Sequence, residues 1–90
     1  MSKWQIKFTP RAEKKFFKLS SDTQKSVLDY LYNRILKLDN PKLFGKPLSF
    51  SKKGLWRYRL DKFRIICKLE EDKLVVLVVA VAKRDVVYED

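Results

Sequence analysis

Histidine is absent from this chain, and that gap removes more chemistry than any other feature of its composition. Without imidazole there is no Ser–His or Cys–His nucleophile system and no zinc site that depends on histidine. Acid–base work falls to Lys, Arg, Tyr and carboxylates. Cysteine is scarce as well: Cys67 stands alone, which excludes an internal disulfide and a cysteine metal cluster and agrees with a reducing compartment. Two glycines and three prolines in 90 residues argue against disorder or a linker. No apolar run approaches the length of a membrane span. The opening "MSKWQIKF" lacks the apolar stretch of a secretory signal, so a cytoplasmic location is expected.

Negative charge is the last scarcity. Twenty-one Lys and Arg face eleven Asp and Glu, for a formal charge of +10 and a pI near 9.9. A field of that sign favours polyanions, meaning nucleic acid, an anionic membrane or an acidic protein. Ninety residues, 46% apolar and 13% aromatic, are expected to form one small domain over residues 1–90. There is no internal repeat, low-complexity tract or linker.

The pattern predicts a strand, two helices and three strands. "WQIKF" alternates Trp4, Ile6 and Phe8 against Gln5 and Lys7, as a half-buried strand does. Thr9 and Pro10 read as the cap and first position of a helix over "PRAEKKFFKL", with Ala12, Phe16 and Leu19 inside. Ser21 with Gln24 reads as a capping box for a second helix. Its apolar stripe is Val27, Leu28, Leu31, Ile35 and Leu38, and Asp39-Asn40-Pro41 stops it. The loop "KLFGKPLSFSKKG" follows, expected to run without structure for a dozen residues and to be functional or mobile. Strands are then expected over 55–60, 63–69 and 74–82. The last, "LVVLVVAVA", is apolar on both faces and belongs inside the sheet. The fold class is α+β: a mainly antiparallel sheet with an N-terminal helical hairpin on one face. Where the first strand pairs is left open by the pattern.

The chemistry concentrates in "GLWRYRLDKFRI", residues 54–65. Alternation sets Trp56, Tyr58, Leu60, Phe63 and Ile65 on one face and Arg57, Arg59 and Arg64 on the other, with Lys68 beside them. Lys83 and Arg84 end the last strand, and Tyr88 follows near the same face. A solvated sheet face explains any one of these arginines. Together they form planar forks suited to phosphate, with an aromatic ring for stacking on a base. Lys46, Lys52 and Lys53 read either as a solvated loop or as an outer phosphate-contacting rim. Cys67, Phe16, Phe17 and Trp4 read as core.

In this order the elements resemble the RelE/ParE superfamily of toxin–antitoxin toxins. The resemblance is carried by "FTPRAEKKFFKL", "LDNP", "KPLS", "GLWRYRLDKFRIIC" and "VAKRDVVY", which together run over nearly the whole chain. It implies two possible activities. RelE-like toxins are messenger-RNA endonucleases acting in the ribosomal A site, whereas ParE-like toxins inhibit DNA gyrase. The RelE-like motif carries over, position by position, to Arg57, Arg59, Arg64, Arg84 and Tyr88 as catalytic residues. All five are filled by suitable chemistry, which favours the RelE-like arm. Lys46, Lys52, Lys53, Lys68 and Lys83 are the expected further RNA contacts. The resemblance implies no metal or other cofactor and no membrane partner. Its implied partners are the ribosome with its mRNA, and an acidic antitoxin that folds on binding. A non-catalytic RNA-binding module and an inactive relative are the remaining alternatives. Some relatives have lysine at the first two positions, and others use Glu or His as acid or base. Arg57 and Arg59 hold their protons too firmly for a base, so Tyr88, a carboxylate such as Glu89, or the RNA and ribosome are the candidates.

Overall fold

The computed structural model describes residues 3–37, 40–43, 45–47 and 54–83. Strand β1, Gln5–Phe8, exposes Gln5 and Lys7 and half-buries Ile6 and Phe8. Thr9 ends it and begins a helix. Its Oγ1 accepts a 3.1 Å hydrogen bond from the Ala12 N–H, and Pro10 opens α1, Pro10–Phe16, where its missing N–H has no partner to lose. Ala12 and Phe16 are the buried positions of α1, and the Phe16 ring lies 5.2 Å from that of Phe8.

Helix α1 is shorter than the apolar spacing predicts. The N–H groups of Lys18 and Leu19 bond back to the carbonyls of Lys15 and Phe16, a tight i→i+3 turn that breaks the helical path. Phe17, expected in the core, is instead 66% exposed. The cap of α2, Ser21–Tyr30, is Ser20 rather than Ser21: its Oγ accepts a 3.2 Å bond from the Thr23 N–H. Gln24 does not complete a capping box. Its Nε2 donates to the carbonyls of Phe17 at 3.3 Å and Leu19 at 2.9 Å. Carbonyls at a helix end have no partner within the helix, so this side chain ties the two helices together.

Helix α2 runs on into a π-helical turn, Leu31–Ile35, where the Leu36 N–H bonds to the Leu31 carbonyl at 2.9 Å. Four-residue steps drift around an α-helix of about 3.6 residues per turn, and a wider turn offsets the drift. Val27, Leu31 and Ile35 therefore stay in one buried line. Leu28, expected in the same stripe, is 37% exposed. Leu38 and Asp39 lie outside the described residues.

The segment expected as a plain loop contains structure. Pro41–Leu43 forms a 3₁₀ turn, and Lys46–Pro47 forms a short strand, β2, with Lys46 opposite Arg57 and Pro47 opposite Trp56. A two-residue strand containing proline has no periodicity to read. Gly45 makes this pairing possible: at φ +73° it sits so close to the partner strand that a Cβ would overlap the Arg57 carbonyl and crowd Trp56 Nε1 at 2.8 Å.

Strands β3, Leu55–Leu60, β4, Phe63–Glu70, and β5, Val75–Lys83, lie within a residue of their predicted bounds. The turn between β3 and β4 has Asp61 at φ 53°, a left-handed conformation that Asp tolerates better than most residues. The five-stranded sheet has the order β1-β5-β4-β3-β2. Strand β1 runs parallel to β5, from Gln5 opposite Val75 to Phe8 opposite Val78, and the other pairings are antiparallel. Strand β5 is thus flanked by paired strands at both edges, while the helices cover one of its two apolar faces.

The helices cover one face of this α+β fold. Val27, Leu31 and Ile35 meet Tyr58, Ile65, Cys67, Val76 and Val78 in the main core. Burial pushes the Cys67 thiol well above its ordinary pKa, so it packs as a small neutral hydrophobe. Among the described residues no helix is long and apolar enough to cross a membrane.

Candidate nucleic-acid interface

Residues directly opposite each other on paired strands share a face. Arg59 stands opposite Arg64, Arg57 opposite Ile66, and Leu55 opposite Lys68. Tyr58 opposite Ile65 and Trp56 opposite Cys67 point the other way, into the helices. Arg57, Arg59, Arg64 and Lys68 therefore share the face turned away from the helices. Lys46, opposite Arg57, carries that face to the β2 edge. Lys7 carries it to the opposite edge, because Lys7 pairs with Leu77 and Leu77 with Lys68.

A bulge shapes the middle of this surface. The register between β4 and β5 shifts after Ile66, so Ile66 meets Ala80 while Cys67 meets Val78, and Val79 is left over. The extra residue reverses the alternation of β5. Ala80 and Ala82 then fall on the arginine side, opposite Ile66 and Arg64, and Val81 returns to the core. Ile66, Ala80, Leu55 and Val79 form a second, smaller apolar cluster on that side. The basic side chains stand around this floor, apolar ground of the kind on which long cationic stems bury their methylenes.

Two features of the surface are costly as the described residues stand. Arg59 and Arg64 are like charges directly opposite each other, an unfavourable cross-strand pair. The Nε of Arg64 is buried with no hydrogen-bond partner among the described residues. A desolvated donor without an acceptor destabilises the fold. A phosphate oxygen would relieve both, since guanidinium groups offer planar paired donors to such anions. Glu70 lies on the same alternation of β4 but six residues, roughly 20 Å, from Arg64. Its carboxylate takes Lys73 at 3.5 Å.

Behind the surface, Tyr58 fixes β3 to the turn before β2. It is fully buried, and its hydroxyl donates a 2.7 Å bond to the Pro41 carbonyl. Burial raises its pKa above the ordinary tyrosine value, and burial likewise raises that of Tyr30, whose ring stands edge-on at 6.2 Å. At the rim Lys42 pairs with Glu71 and lies 5.9 Å over the Trp56 ring.

Not every candidate joins this face. Lys83 stands opposite Phe63 on the helix-side alternation, beside the end of α1. Lys52, Lys53, Arg84, Tyr88 and Glu89 lie outside the described residues. Lys7 was missed by sequence reasoning. "WQIKF" shows that Lys7 points away from the core, but not which strand it lies beside.

A five-stranded, mostly antiparallel sheet preceded by two helices is the RelE-like fold. A chain of the RelBE2 toxin–antitoxin complex from Mycobacterium tuberculosis is 21% identical, with a TM-score of 0.80 over 93% of this chain and 94% of that one. The intact Escherichia coli RelBE complex gives 22% identity and a TM-score of 0.73, covering 89% of this chain and 95% of that one. The archaeal RelE–RelB complex from Pyrococcus horikoshii gives 18% and 0.69, covering 93% and 98%. No curated protein matches the chain. The family model described as the ParE toxin of the type II toxin–antitoxin system, parDE, matches residues 6–88. The chain belongs to that family, within the RelE/ParE superfamily, and is a toxin of a type II toxin–antitoxin system.

Proposed function

We propose that this toxin is a metal-independent endoribonuclease that cuts mRNA in the ribosomal A site, acting in the cytoplasm as a single domain over residues 1–90. The observation that carries the reading is the cross-strand pair Arg59 and Arg64, with Arg57 beside it and the buried Arg64 Nε without an acceptor among the described residues. In the proposed reaction the substrate 2′-OH gives its proton to a general base and attacks the adjacent phosphorus, and the P–O5′ bond breaks. The leaving 5′-oxygen takes a proton, which gives a 2′,3′-cyclic phosphate and a 5′-OH. Arg57, Arg59 and Arg64 stabilise the charge growing on the phosphate oxygens, often the dominant contribution to such catalysis. Arg84 serves the leaving oxygen, and Tyr88 stacks on a base to hold the phosphate in line for attack. Lys7, Lys46 and Lys68 contact flanking phosphates, with Lys52 and Lys53 as further contacts. The partner is an acidic antitoxin that folds on binding.

Arg64→Ala is expected to lose about 2–4 kcal/mol of transition-state stabilisation, near a hundredfold or more in cleavage rate. Mapping of cleavage sites on ribosome-bound mRNA measures this, and unchanged cleavage by the variant sinks the proposal. The family model favours a second reading, gyrase inhibition without nuclease activity. Inhibition of DNA supercoiling by a toxin that leaves ribosomal mRNA intact would establish that one instead.

A further inference from the structure

Away from the arginine pair, the same face has a second place where cations converge. Lys68 stands opposite Leu77, and Leu77 opposite Lys7, so the two lysines flank one leucine from the strands on either side of β5. Both lysines are exposed, and neither enters an ion pair among the described residues. Neighbouring strands lie about 4.8 Å apart, so two lysine side chains are long enough to meet above Leu77. The carboxylate that shares this alternation of β4, Glu70, lies beyond Lys68 and takes Lys73 at 3.5 Å. From Arg64 to Lys68 along β4 is roughly 13 Å. Between them lies the apolar floor of Ile66, Ala80, Leu55 and Val79.

We propose that Lys7 and Lys68 together clamp one phosphate of the bound RNA, about two nucleotides from the bond that is cut. The proposal rests on the RNA substrate inferred above and adds the course of the strand across the sheet. The floor decides what lies between the two phosphates. An apolar surface rejects an unpaired phosphate charge but accepts the flat face of a base. The strand thus passes from the arginine pair, over a base laid on Ile66 and Ala80, to the lysine pair at the β1 edge. The residue types suit the two ends. Guanidinium forks fix the orientation of the reacting phosphate, whereas a lysine is a point charge that holds a remote one without orienting it. A course toward the β2 edge is less favourable. With Arg57 engaged on the reacting phosphate, Lys46 is one lysine there, whereas Lys7 and Lys68 converge from two strands.

The test uses the whole chain, labelled with ¹⁵N, at low salt. The probes are 2′-O-methyl oligouridylates, which lack the attacking hydroxyl and stay whole. A dinucleotide has a single phosphate and reaches only the arginines, whereas a tetranucleotide reaches both places. The dinucleotide is expected to shift the amides of Arg59 and Arg64, and the tetranucleotide those of Lys7, Lys68 and Leu77 as well. Lys7→Ala with Lys68→Ala is expected to bind the tetranucleotide about tenfold more weakly and to flatten the slope of log affinity against log salt by about 0.7, the loss of one phosphate contact. Its affinity for the dinucleotide is expected to stay within about twofold of the wild type. Lys14→Ala with Lys25→Ala removes the same charge from exposed helix positions and is expected to keep the full gain with length. The proposal is overturned if both probes shift the same amides, if the two double variants lose the gain equally, if Lys46→Ala alone removes it, or if neither probe binds. Cleavage assays separate this from the proposed function. A toxin that cleaves ribosome-bound mRNA without a lysine-dependent gain loses the clamp alone, and one that shows the gain without cleaving loses only the nuclease reading.

Discussion

The two faces of the sheet are built from the same strands by opposite rules. On the helix side Tyr58, Ile65, Cys67, Val76 and Val78 are all fully buried, and the one hydroxyl among them is satisfied by the Pro41 carbonyl. On the other side Arg59 faces Arg64, and a buried Arg64 donor has no acceptor among the described residues. The first face is optimised for the fold. The second keeps an electrostatic conflict that no group among the described residues resolves. Neighbouring residues of β4 fall on either side of this division, so adjacent substitutions should have opposite consequences.

The largest expected contrast is between Ile65 and Arg59. Ile65→Ala empties a core position and should lower unfolding free energy by about 2–5 kcal/mol in urea titration. Arg59→Ala, on the opposing face, should change it by less than about 0.5 kcal/mol, or raise it slightly by removing like-charge repulsion. A large loss of stability in Arg59→Ala would break the comparison. Gly45→Ala comes next. It forces a Cβ against the Arg57 carbonyl at a positive φ, which should cost on the order of 2 kcal/mol and detach β2. Hydrogen exchange at the Lys46 and Arg57 amides reports whether that pairing is lost.

A loss of similar size sharpens the buried side. Tyr58→Phe leaves the Pro41 carbonyl without its donor and should cost about 1–3 kcal/mol. The same residue gives a pH dependence of definite sign. Its folded pKa is raised above the unfolded value of about 10, so the unfolded chain ionises first as pH rises. That stability is complete below pH 10 and declines above it; the raised Cys67 pKa acts in the same direction from about pH 9. Denaturant midpoints measured from neutral to alkaline pH should fall, and less steeply in Tyr58→Phe. A rising midpoint would contradict the assignment.

The arginine face was readable in the sequence because a strand has a period of two, and "LWRYRL" and "FRIICKLE" state it directly. Features that depend on a single residue's geometry were not. The exposed Phe17 follows from a tight turn that apolar spacing does not encode, and the cap at Ser20 from where that turn ends. Strand β2 is too short for a pattern, and Val79 is one more valine in an apolar run until its partners are known. Lys7 belongs to the site only through the pairing of β1 with β5, a contact between distant parts of the chain.

That pairing also bears on when the molecule can be completed. The hairpin of β3 and β4, which carries Arg57, Arg59 and Arg64, closes through a two-residue turn and involves only local contacts. Strand β1 must wait for β5, because Gln5 meets Val75 across 70 positions (75 − 5). Contacts so distant close late and slow the search for the native state. A ribosome synthesising this chain must pass Val75 before the parallel edge can form. Until then the helical hairpin has only part of its sheet to pack on, leaving its apolar line open to other chains.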